Sequence, residues 1–313
     1  MSTFTSSVAE RRPVRPLALE VTPPSPYLLP RFGGEDRVMR TRDGIATRLL
    51  RVEGSPILVR AWQPGRGRVA LRAEPVSPDA VWIPSPGGER PEPAGPDRLA
   101  TAIERMRFAL GVDDDLGKFY RRFRRDPLLG PLIRRRPHLR PHRRPWAWEA
   151  LAWAVVKQLI ETGRAARIQR RIVGRWGLRL DGRAGASLRD VPPAELIAGR
   201  APAELEQLGL SPARSIALTA VARAIAAGRL SPTDPAADRQ LLAVPEIGPW
   251  TVQCLGLFGR GEPDSLPAGD LMYLKLVGRL ARLGRRATVE EVEEFFAAYR
   301  PFRGLAAIWT HIL

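Results

Sequence analysis

The hydrophobic pattern changes period once along the chain, near residue 112, and this change constrains the fold more than any other feature. Between residues 36 and 86, runs such as ATRLLRV, PILVRAWQ and RVALRAE are parted by EGSP and PGRG. Period-two alternation between turn residues predicts antiparallel strands. PGGERPEPAG (86–95) reads as a loop, and DRLATAIERMRFAL has helical spacing with Asp97 placed to cap it. From residue 113 onward every apolar segment suits a helix and none reads as a strand. WEALAWAVVKQLIETGRAARIQRRIVGRWG is the longest. Many of these segments open on Ser, Asp or Thr and close on Gly. The expectation is an α+β protein. Residues 1–30 form a flexible tail, 31–112 a small α/β domain with an antiparallel sheet, and 113–313 an all-α domain.

Charge narrows the partners. The 50 basic residues against 33 acidic ones leave a net charge of +17, and only Lys118, Lys157 and Lys275 are lysines. Such a surface attracts polyanions, nucleic acid ahead of an acidic membrane. Ten arginines lie between residues 121 and 144. They read either as phosphate contacts, Arg134, Arg135 and Arg136 among them, or as a solvated face. The single cysteine, Cys254, excludes an intrachain disulfide, a four-cysteine iron–sulfur site and a zinc finger. His138, His142 and His311 have no metal-ligand spacing. No apolar stretch approaches the roughly 20 residues of a membrane span, and residues 1–30 lack a secretory pattern.

The helical pattern breaks and resumes twice between residues 241 and 275. At PEIGPW, the helical runs DRQLLAV and PWTVQCLGLF flank a four-residue turn, a helix-hairpin-helix. Pro249 suits the first helical turn, where a missing N–H is harmless. The free amides at that helix start, beginning near Gly248, make a ready phosphate site. An ordinary helical hairpin of a bundle is the plainer alternative. At LPAGD, Asp270 opens an apolar helix, either as a simple N-cap or as a carboxylate fixed beside the hairpin.

These motifs, with FYRRFRRDPLLGPLI, PWAWEALAWAVVKQLI, GLSPARSIALTAVARAI and YRPFRGLAAIW in order, resemble the helix-hairpin-helix (HhH-GPD) DNA glycosylase superfamily. Within it they look most like the bacterial 3-methyladenine DNA glycosylase II, or alkylpurine, branch. The resemblance runs from about residue 119 to 310. It implies a TATA-binding-protein-like N-terminal sheet and a monofunctional enzyme that flips and hydrolytically excises alkylated purines from duplex DNA. Asp270 is then the catalytic carboxylate, stabilising positive charge on the sugar and orienting water. Trp250, Cys254, Trp309 and His311 line the base pocket. Leu159 is the wedge that fills the gap, with Gln158 touching the opposite base. Ile247, Gly248, Trp250 and Thr251 meet the DNA backbone. The main-chain carbonyls of Leu242, Val244 and Ile247 are the positions for a monovalent cation.

The chain departs from the family in places. The lysine nucleophile of bifunctional relatives is replaced by Trp250, which removes the Schiff-base route. A hairpin glycine is replaced by Glu246, and a pocket aromatic by Cys254. Trp250 also reads as a core residue at a hairpin, and Leu159 as core on an amphipathic helix. A glycosylase for deaminated purines and a non-catalytic DNA-binding protein on the same fold stay open. The resemblance further implies no cofactor, duplex DNA with damaged bases as partner, no membrane, a monomer, and a bacterial cytoplasmic, nucleoid-associated location.

Overall fold

In the computed structural model the described residues are 14–31, 33–77, 80–82, 93–181 and 187–311. Strands β1 (Leu17–Val21), β2 (Met39–Arg42), β3 (Ile45–Val52), β4 (Ser55–Gly65) and β5 (Arg68–Pro75) form an antiparallel sheet in the order β1-β5-β4-β3-β2. Local sequence sets its register. Asp43-Gly44 and Glu53-Gly54 are two-residue loops in which both residues have positive φ, 51° and 76° in the first and 46° and 81° in the second. These are the loops whose twist matches paired strands. They leave Arg42 opposite Ile45 and Val52 opposite Ser55. Helix α1 (Pro96–Leu110) covers one face, burying Leu99, Ile103 and Met106 in a core with Leu50, Ile57, Val59 and Leu71. Its N-cap is Gly95 rather than the expected Asp97. Pro96 takes the first helical position, and Asp97 sits in the first turn, where its charge meets the positive helix end.

The expected tail needs correction from residue 14 onward. β1 pairs along β5, the Tyr27 hydroxyl donates to the Leu110 carbonyl, and Ser25 Oγ accepts the Leu116 amide. Five residues of strand among Pro and Arg carry too short an alternation to be read from sequence. Residues 1–13 of that expected tail lie outside the described residues.

The rest is helical: α2 (Gly117–Phe123), α3 (Leu129–Arg135), α4 (Ala147–Lys157), α5 (Thr162–Trp176), α6 (Ala194–Ala198), α7 (Pro202–Gln207), α8 (Pro212–Ala226), α9 (Asp238–Leu242), α10 (Pro249–Leu255), α11 (Leu271–Leu280), α12 (Val289–Ala297) and α13 (Arg303–Thr310). Two short strands interrupt it, against expectation. β7 (Arg179–Asp181) and β8 (Ser187–Arg189) join β6 (Val81–Trp82) in a second sheet, and three residues are too few to show period two. None of the helices is long and apolar enough to cross a membrane, among the described residues.

Two helical cores form. One surrounds α4, whose residues from Ala147 to Val156 are all buried; a helix apolar all round belongs at the centre of a bundle. The other gathers Phe119, Leu129, Tyr273, Val277, Phe296 and Trp309 from α2, α3 and α11–α13. Ion pairs tie the first sheet to α4 and to the loop before α6. Arg48 donates to Glu149 at 2.5 Å with both side chains buried, and Arg51 to Asp190 at 2.8 Å. Asp36, 2% exposed, accepts from Arg144 at 2.5 Å and from Trp153 Nε1 at 2.8 Å.

Candidate active site

The long helical pattern expected across residues 147–176 is broken in the structure at 158–161. Gln158 turns extended at the end of α4, and Leu159 adopts φ 51° with its side chain fully exposed, 103%. A bulky apolar residue in the left-handed region, entirely in water, breaks two local rules at once. Such strain is kept where the surroundings hold it. Leu159 is therefore not a core residue. Two groups hold the turn. Arg214 on α8 donates from Nη1 to the carbonyls of Gln158 at 2.7 Å and Val156 at 3.4 Å, serving groups that the end of α4 leaves open. Gln158 Nε2 donates to the Glu246 carbonyl at 2.7 Å and to Thr251 Oγ1 at 2.8 Å. The Gln158 amide group thus faces the hairpin, where two acceptors wait. Arg214, some 55 positions downstream, carries no sequence signal for this role.

The hairpin itself forms as expected. α9 ends at Leu242, and Gly248 caps α10 with Pro249 at its first position. Ile247 and Thr251 are buried and fix the turn from within. Glu246 takes φ 71°. Residues 242–248 line a shallow cavity of about 410 Å³. The Val244 carbonyl accepts the Ile247 amide at 3.0 Å, which leaves a lone pair for an ion. Neutral oxygen donors on one loop fit a monovalent cation.

Asp270 stands between the two helical cores. Its Oδ1 caps α11 by accepting the Met272 amide at 2.9 Å, and its Oδ2 accepts from Trp250 Nε1 at 3.3 Å. The N-cap reading and the fixed-carboxylate reading hold together, since the cap holds one oxygen and leaves the other toward α10. Trp250 is half-buried, so it is neither a core tryptophan nor a free one. Cys254, one turn further along α10, and Tyr273 on α11 are buried near the carboxylate. Burial pushes both groups well above their usual range, and the Asp270 charge adds to it, so both stay protonated.

The remaining pocket candidates separate. Trp309 is wholly buried, with its ring 5.1 Å from Phe119, so it is core and not pocket wall. A tryptophan in an apolar helix favours the core whenever a neighbouring core has room. His311 is exposed at the end of α13 against Met272, next to the α11 N-terminus. Arg134, Arg135 and Arg136 lie exposed at the end of α3, as do Arg121, Arg122, Arg124 and Arg125 nearby. The other three of the ten arginines turn inward. Arg140 donates to the Pro26 carbonyl, Arg143 to Asp114 and Arg144 to Asp36.

Comparison with known proteins agrees with this geometry. Residues 152–301, the stretch from α4 past Asp270, match the profile of the HhH-GPD superfamily base excision DNA repair protein. The "probable bifunctional transcriptional activator/DNA repair enzyme AlkA" of Mycobacterium tuberculosis is 31% identical over 219 residues, 68% of this chain and 43% of that protein. The chain thus spans less than half of that relative. A "DNA-3-methyladenine glycosylase" of Bacillus subtilis is 26% identical over 204 residues, 63% of this chain and 67% of that one. The structure of a 3-methyladenine DNA-glycosylase from Archaeoglobus fulgidus superposes with a TM-score of 0.74 at 17% identity, covering 94% of this chain and 97% of that one, a likeness of fold. The family-model match assigns residues 152–301, which hold the hairpin and the capping aspartate, to the HhH-GPD superfamily of base excision DNA repair proteins.

Proposed function

We propose that the protein is a monofunctional DNA glycosylase that hydrolyses the N-glycosidic bond of alkylated purines in duplex DNA. The observation that carries this reading is Asp270: a carboxylate fixed by a helix N-terminus, bonded to Trp250, and on the side of the molecule where the hairpin meets the Leu159 turn. The α10 N-terminus holds a phosphate of the damaged strand. Leu159 enters the stack and the damaged base leaves it. Trp250 offers a ring face that attracts a cationic base, an effect of about 0.5–2 kcal/mol. As the bond breaks, positive charge grows on the sugar, and the free lone pairs of Asp270 stabilise it and hold the attacking water. A methylated purine is already cationic and leaves as a neutral base, so no second acid is required. With Trp250 at the lysine position of bifunctional relatives, no amine there attacks the sugar, and the product is an intact abasic strand. The carbonyls of Leu242, Val244 and Ile247 would hold a monovalent cation that draws the phosphate to the hairpin.

The test is release of free base from methylated duplex by wild type and Asp270→Asn, with alkali afterwards to reveal abasic sites. The reading expects release that falls at least 100-fold in the variant, and strand breaks only after alkali. Absence of release by wild type, or breaks before alkali, would overturn it.

A further inference from the structure

Helix α5 starts three residues after Leu159 and carries Arg164, Arg167, Arg170, Arg171 and Arg175 with no carboxylate between Thr162 and Trp176. Arg164, Arg167, Arg171 and Arg175 are exposed, and their spacing of three, four and four residues puts them on one face of the helix. Among the described residues none of the four has an ion-pair partner; Arg171 Nη1 donates to the Leu208 carbonyl at 3.3 Å. Arg164 occupies the first turn, where the helix dipole disfavours a cation, and the N-cap acid Glu161 forms no ion pair with it among the described residues. Arg214, which clamps the wedge turn, lies near enough to Arg164 to be affected by its charge. Positive charge is thus concentrated beside Leu159, the one fully exposed large apolar side chain among the described residues, and a row of it leads away.

We infer that the outer face of α5 is a track for the phosphates of duplex DNA on one side of the wedge, with Arg164 and Arg167 as its first contacts. The row from Arg164 to Arg175 is about 16 Å long at 1.5 Å per residue, the length of about five phosphates of one strand. The hairpin meets the wedge turn through Gln158, and α5 leaves the same turn at Thr162, so the duplex is held at two places next to the wedge. The inference rests on the DNA reading of the same site, and its test uses duplex with no damaged base to release so that it stands apart from base release.

The measurement is duplex binding as a function of salt, for wild type, Arg164→Gln/Arg167→Gln and Arg164→Lys/Arg167→Lys, with thermal melts of each. Loss of two phosphate contacts makes the slope of log K against log salt shallower by about 1.8; the lysine variant keeps the wild-type slope. A second arm repeats the binding on duplex bearing one abasic analogue, which has no base to release, at varied distances from either end. Wild type should weaken when about five base pairs are removed from one side and not the other, and the glutamine variant should lose that asymmetry. An unchanged slope in a glutamine variant that melts like wild type overturns the inference. Equal dependence on both flanks overturns it as well. Salt-dependent binding by α5 without base release would sink the glycosylase reading and leave the track standing.

Discussion

At the scale of single residues, the site is made of positions that break local rules. Leu159 is apolar, exposed and left-handed, Arg164 is a cation at a positive helix end, and Glu246 is left-handed in a hairpin turn. Glu246 has two consequences. The left-handed conformation costs a residue with a Cβ about 1–2 kcal/mol, and the carboxylate adds negative charge where a phosphate would approach. Glu246→Gly removes both and gives back part of the gain as chain entropy. The expected outcome is a protein more stable by about 0.5–1 kcal/mol that binds duplex more tightly at low salt. Denaturant melts and fluorescence anisotropy check it, and a less stable variant would show that Glu246 has a native partner. Asp270 and Trp250 were legible from sequence because short-range turn chemistry, Pro, Gly and a capping acid, announces them. Trp309 was not, because its place depends on Phe119, far away in the chain.

At the scale of elements, the hairpin was legible and the wedge turn was not. PEIGPW carries Pro and Gly at the break, whereas KQLIE reads as uninterrupted helix. That helix ends because Arg214 and the hairpin supply partners for its carbonyls and for Gln158. Three distant elements therefore meet at one turn: α4, α8 and the α9–α10 loop. Arg214→Met should leave the global melt within about 1 kcal/mol, because the freed carbonyls can take water. It should lower kcat for base release about tenfold while KM changes little, and Arg214→Lys should restore part of it. Stopped-flow fluorescence of a base analogue beside the lesion reads the step directly. A variant that loses stability instead of flipping rate would make Arg214 a fold residue only. The exposed arginines near residue 130 and the inward ones from 140 to 144 look alike in sequence. Only the acids Asp114 and Asp36, contributed by other segments, separate them.

At the scale of the molecule, the first sheet is fastened to the wedge helix by buried charge. Burial pushes the Asp36 carboxyl up, but Arg144, Arg48, the Val38 amide and Trp153 together hold it below its ordinary 3.8. Its contribution is therefore complete above the unfolded-state value and is lost as pH falls through the lower folded value. The burial of Glu149 and Asp190 acts oppositely, holding both above their ordinary values despite Arg48 and Arg51. Their groups favour the folded state as pH falls. Asp36→Asn should lower stability at neutral pH and flatten the loss of stability below pH 3.8, as read from urea melts across pH; an unchanged acid limb would show that Asp36 does not control it. The sequence showed that a sheet precedes the helices but not where they join, because each pair links residues about 100 or more positions apart. One consequence follows from α4 being buried on every side. On the proposed reading Leu159 at its tip is a probe that cannot retract, so whatever yields during a search must be the double helix. Base pairs that open readily give way first, and a weakened pair is selected by its own mechanics before any chemical group has met it.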